Sequence, residues 1–145
     1  MRVEVSVNIE AEPARAWAVM TDVEAWPEWT ASVTAVQRLD AGELRPGAEA
    51  RIKQPRLPAA TWRVTAVDPG RAFTWEAQVR GVRSVATHRI EPAGAGARVT
   101  LVLEQHGLAA NLFAPFTRPM VRKYVEMEAA GLKRRSEEQP AVLAV

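Results

Sequence analysis

Acid–base chemistry near neutral pH has few candidates in this 145-residue chain, which carries two histidines, one tyrosine and no cysteine. Histidine is the side chain that changes charge around pH 5–8, so His88 is the first candidate for proton transfer. A lone histidine is more often a satisfied core or wall residue than a catalytic one, and its surroundings must decide. His106 falls at the end of a strand-like run with outward parity, which reads as a surface position. Nucleophilic catalysis lacks its parts: there is no thiol, no G-x-S-x-G elbow, and no serine with a credible histidine–acid pairing. Metal binding fares no better. The two histidines lie 18 positions apart on opposite strand faces, and the nearby Glu91 and Glu104 complete no ligand motif. Asp22 and Glu28 flank Trp26 and Trp29, but the first suits a helix cap and the second a solvated position. Gly94 and Gly96 precede a strand and not a helix N-terminus, so they make no phosphate cradle. Neither a metal nor a cofactor is expected.

Elements that would position His88 follow from periodicity. Residues 3–10 alternate, with Val3, Val5, Val7 and Ile9 on one face, as a half-buried strand requires. Pro13 opens a helix over 13–21 that places Ala16, Trp17 and Met20 together. Thr21 or Asp22 suits the cap of a second short helix holding Val23, Trp26 and Trp29, which Pro27 keeps short. Strand patterns follow at 32–39, 48–54, 60–68, 72–79, 82–91 and 97–106, separated by turns such as Asp68-Pro69-Gly70 and Gly94-Ala95-Gly96. After Gly107 the chain turns helical. Phe116, Met120, Tyr124, Met127 and Gly131 recur at steps of four, four, three and four, with Thr117 a plausible N-cap and Pro119 in the first turn. Residues 1–139 read as one domain and 140–145 as a flexible tail.

Strand, two short helices, six strands and one long helix describe an α+β chain with a meandering antiparallel sheet. A twisted seven-stranded sheet covered by a single helix can curl around it and leave space between them. The run Thr21-Asp22-Val23-Glu24-Ala25-Trp26-Pro27-Glu28-Trp29 resembles the D-v-x-x-W-P-x-W signature of the polyketide cyclase/dehydrase-like branch of the START/Bet v 1-like (SRPBCC) superfamily. Ala11-Glu12-Pro13-Ala14-Arg15-Ala16-Trp17 is similar to its helix start, and the segments 69–75 and 94–100 to its turn-and-strand joints. The resemblance spans about residues 2–138. It implies a helix-grip fold: a seven-stranded curled antiparallel sheet around a long C-terminal helix, with two short helices after the first strand.

Strand parity then nominates the lining of such a cavity. Val99, Leu101 and Leu103 point in, and Gln105 with them; Ile90 brings His88 and Ala86. Phe73, Trp75 and Ala77 follow, then Trp62 and Val64, then Ala50 and Ile52 with Gln54 in line. The helix supplies Phe116, Met120, Tyr124 and Met127 as a lid. Apolar walls with sparse polar groups suit a small hydrophobic molecule, such as a lipid, quinone, polyketide or aromatic metabolite, held by a carrier or sensor. Two rival functions stay open. One is a cyclase- or dehydratase-like enzyme with His88 or Tyr124 as the acid–base group. The other is a protein-interaction or chaperone-cofactor module acting through its outer surface.

Composition bounds the partners. Apolar residues make up 48% and charged residues 25%, ordinary for a globular domain, and the net charge is only +2. Lys133, Arg134 and Arg135 are followed at once by Glu137 and Glu138, so no stripe suited to nucleic acid emerges. Residues 1–10 lack the apolar core of a secretion signal, and no apolar run reaches the ~20 residues of a membrane span. A cytoplasmic protein without an integral membrane segment is expected. A homodimer is one option for its oligomeric state.

Overall fold

A computed structural model describes residues 1–138; the expected tail, 140–145, and residue 139 lie outside the described residues. Seven strands form one antiparallel sheet: β1 (Arg2–Ile9), β2 (Ala35–Arg38), β3 (Glu49–Lys53), β4 (Ala60–Asp68), β5 (Ala72–Val79), β6 (Val82–Ala93) and β7 (Gly96–His106). Their order is β1-β7-β6-β5-β4-β3-β2, a meander closed by the return of β7 to β1. The alternation of β1 fixes its register, Arg2 opposite Glu104 through Ile9 opposite Ala97, because a one-residue slip would turn Val3 and Ile9 outward. A bulge between Val64 and Ala66 on β4 bends the sheet.

Helix α1 (Pro13–Thr21) and a 3₁₀ turn (Val23–Glu28) follow β1, and α2 (Leu108–Glu137) follows β7. The capping expected of Thr21 or Asp22 does not form: Asp22 stands at the cap position without a side-chain bond. The Thr21 hydroxyl instead donates to the Trp17 carbonyl at 2.8 Å, satisfying itself inside α1. Thr117 is no N-cap either. Helix α2 starts nine residues earlier, the Thr117 hydroxyl donates to the Phe113 carbonyl at 3.1 Å, and Pro115 and Pro119 both sit within the helix. A proline removes one backbone donor and tends to end or kink a helix, yet α2 continues through both. The first strand of the meander is also shorter than 32–39, because Thr30 and Ser32 join hydroxyls at 2.6 Å in a buried turn ahead of it.

The C-terminal half of α2 is tied down at several points. Lys133 donates to the Asn8 carbonyl at 2.9 Å, and the Glu10 backbone N–H donates to Glu137 at 2.7 Å. That N–H, with the Lys133 ammonium beside it, holds the Glu137 carboxyl below the usual carboxylate range. Arg15 donates to the carbonyls of Arg135 at 3.2 Å and Glu138 at 3.4 Å, placing a cation on the helix C-terminus. Gly131 lets the helix approach the chain after the 3₁₀ turn: an added Cβ would lie 2.1 Å from the Trp29 carbonyl oxygen. Beneath this anchored end lies a continuous core that includes Val3, Ile9, Met20, Trp29, Val99 and Leu132. Toward its N-terminal half, α2 and the sheet leave a space.

Candidate ligand cavity

That space is a cavity of about 360 Å³ between α2 and the inner faces of β3–β7, with Trp26 of the 3₁₀ turn in its wall. Strand alternation positions its walls. Leu101, Leu103 and Gln105 reach it from β7, Ala86 and His88 from β6, Trp75 and Ala77 from β5, and Trp62 from β4. Gln54 lines it from just beyond β3, where its amide nitrogen donates to the Ser32 carbonyl at 3.1 Å. Met120 and Tyr124 line it from α2, and the tyrosine hydroxyl donates to the Pro55 carbonyl at 2.5 Å.

Seven nominated residues lie elsewhere: Ala50, Val64, Ile90 and Val99 have inward parity but are packed in the core, and three more depart from the lining. Phe73 has the expected inward parity but is buried beneath the cavity, stacked on His88 with ring centroids 4.2 Å apart and planes 7° off parallel. There it also meets the edge of Trp17 from α1, so it fills core. Phe116 is 79% exposed and Met127 half-buried, both outside the lining. The reason is the helix period. At about 100° per residue, Phe116 and Met127 fall about 60° and 40° to one side of Phe113, whereas most of the lining lies to its other side. The inward stripe runs instead through Phe113, Thr117, Met120, Tyr124 and Glu128.

Glu128 is the residue that sequence reasoning missed. It stands four positions after Tyr124 and thus on the same helix face, a signal hidden by searching that face for apolar residues alone. His88, 3% exposed, lies with Nε2 3.2 Å from Glu128 Oε1, whose side chain is 18% exposed. A carboxylate can only accept, so Nε2–H is the donor in this contact. Nδ1 is buried without a partner. Phe73 covers one face of the imidazole, and the indoles of Trp26 and Trp75 stand 5.6 and 6.0 Å away. Trp26 also lines the cavity and is fixed by donating to the Met20 carbonyl at 3.0 Å.

The polar groups share a pattern. Each of His88, Gln54, Gln105 and Tyr124 directs a donor to a protein acceptor, the Gln105 amide reaching Ser84 Oγ at 3.2 Å. The second carboxylate oxygen of Glu128 and the amide oxygens of Gln54 and Gln105 have no protein donor among the described residues. The cavity therefore offers apolar walls and these free acceptors, with Arg80 and the hydroxyls of Ser84, Thr87 and Thr117 also on its lining. Among the described residues no three His, Cys, Asp or Glu side chains group as metal ligands, and no helix is long and apolar enough to cross a membrane.

The sequence profile of the family described as "Polyketide cyclase / dehydrase and lipid transport" matches residues 1–137. The chain belongs to this family. Solved structures place the polyketide cyclase/dehydrase and lipid transport chain in the Bet v 1-like helix-grip fold. TTHA0849 from Thermus thermophilus superposes with a TM-score of 0.77 at 19% identity, over 94% of this chain and 97% of that one. Ara h 8.0201 gives 0.75 at 10% identity over 94% and 97%. The di-domain ARO/CYC BexL from the BE-7585A biosynthetic pathway gives 0.75 at 19% identity, over 94% of this chain and 46% of BexL. No curated protein matches the sequence of this family member.

Proposed function

We propose that the protein binds one small hydrophobic molecule bearing a hydroxyl group in this cavity, as a carrier or sensor. The observation that carries this reading is the Glu128 carboxylate, anchored through one oxygen to His88 and open through the other, in an otherwise mainly apolar chamber. About 360 Å³ is within the range of small-molecule sites, and burial against Trp62, Trp75 and Leu101 supplies affinity without orienting the ligand. A hydroxyl donating to Glu128 orients it. Hydrogen bonds to charged groups contribute about 1.5–3 kcal/mol, a roughly ten- to hundredfold preference. Calorimetric titration with 2-naphthol and with its methyl ether measures that preference. The wild type binds the naphthol more tightly by about tenfold or more, and Glu128→Ala binds both alike. Equal affinities in the wild type would remove the orienting role.

A second reading is supported by the same His88–Glu128 pair, because a carboxylate that orients an imidazole is a common acid–base arrangement. In it, His88 exchanges protons with a polyketide-like substrate during cyclisation or dehydration. Tyr124 is less suited, since its hydroxyl is committed to the Pro55 carbonyl. His88→Ala is expected to abolish turnover of a poly-β-ketone substrate while binding persists. Undiminished turnover in that variant excludes the role.

A further inference from the structure

Of the five large hydrophobic side chains exposed among the described residues, four sit within nine positions at the start of α2: Leu108 (89%), Leu112 (70%), Phe113 (53%) and Phe116 (79%). At 3.6 residues per turn they span an arc of about 140°, and the exposed Pro115 and Pro119 flank or fall within it. Scattered exposed apolar residues need no explanation, but a contiguous helical face of leucine and phenylalanine does. Phe113 belongs to this face and to the cavity lining at once, so the patch is continuous with the ligand chamber.

The charge around the patch has one sign. No acidic residue occurs from Gly107 to Val125, whereas Arg118, Arg122 and Lys123 do. Arg122 pairs with Glu126 at 3.0 Å, but Arg118 and Lys123 make no ion pair among the described residues. The β5–β6 turn adds Arg80 nearby: Gly107 packs so closely on Gly81 that an added Cβ would lie 2.3 Å from its carbonyl oxygen. On the same helical wheel Lys123 continues the arc about two turns further along, and Arg122 and Arg118 lie about 40° and 80° outside it. Apolar side chains along one helical face with long cationic side chains beside it suit the boundary between acyl chains and anionic headgroups. A second copy of the chain fits less well, since it would gather the cations of both copies with no acid on this stretch to neutralise them.

We infer that the N-terminal third of α2 is a docking face for an anionic lipid surface, placing the ligand chamber against the bilayer. The inference rests on the outer surface and stands apart from the identity of the cavity ligand. Its test is co-sedimentation with phosphatidylcholine vesicles, with and without phosphatidylserine. The wild type pellets with the phosphatidylserine vesicles, and Leu112→Glu/Phe116→Glu loses at least tenfold in partition. Arg118→Ala and Lys123→Ala each lose about fivefold on phosphatidylserine vesicles, as one cation near the surface should. Neither Leu112 nor Phe116 lines the cavity, so the double variant keeps the calorimetric affinity of the wild type for 2-naphthol, which also shows that it is folded. Absence of wild-type pelleting with phosphatidylserine vesicles would overturn the inference. So would light scattering that finds a wild-type dimer dispersed by the same two substitutions, which would give the patch to a second copy.

Discussion

The Gly131→Ala variant is expected to be less stable than the wild type by about 2 kcal/mol or more, although alanine is the better helix former by about 1 kcal/mol. The added methyl would sit 2.1 Å from the Trp29 carbonyl oxygen, and 3.0 Å from its carbonyl carbon and from ring atom Cε3. Both neighbours belong to backbone and a buried indole, so neither yields cheaply; forced overpacking costs typically 1–3 kcal/mol and sometimes more. The same carbonyl accepts from Arg134 at 3.2 Å, and separation of the helix from it breaks that bond too. Trp29 leans on Trp26, with centroids 5.7 Å apart, and Trp26 on Trp75 and His88, so the displacement reaches the cavity wall. At this chain length each kcal/mol lowers Tm by about 3–5 °C, and thermal unfolding should report a drop of about 6 °C or more. An unchanged or raised Tm would mean that the helix has room here.

Ala86→Trp is expected to remove ligand binding while leaving the fold intact. Ala86 stands between Trp75 on β5 and Leu103 on β7 in the strand register, and its side chain lines the cavity. An indole there projects into open volume, so the overpacking that afflicts Gly131→Ala is avoided. It competes instead with the ligand for the same space. At roughly 25 cal/mol per Å², excluding even ~110 Å² of ligand surface costs about 2.7 kcal/mol, a hundredfold in affinity. Calorimetry with 2-naphthol should find binding at least a hundredfold weaker, and wild-type affinity would place the ligand elsewhere.

Much of the fold was legible because strand alternation and turn chemistry are local. Val99, Leu101 and Leu103 announce the inner face of β7, and Asp68-Pro69-Gly70 announces the turn before β5. The start of α2 was not legible, because Pro115 and Pro119 read as local stop signals although the helix runs through both. In the cavity, parity located the strand residues, including His88 and Gln105. It could not tell lining from filling, since whether Phe73 faces the chamber or the underside of His88 depends on where α1 delivers Trp17. The partnership of His88 with Glu128 joins residues 40 positions apart, and no local pattern encodes how far α2 slides along the sheet.

The ligand's place is the hollow interior between α2 and the sheet. Intermolecular nuclear Overhauser effects between 2-naphthol and methyl-labelled protein test that claim directly. The expected contacts run to the methyl groups of Leu101, Leu103 and Val125, which line the chamber. Contacts confined to Leu108 and Leu112, on the outer face of α2, would contradict it.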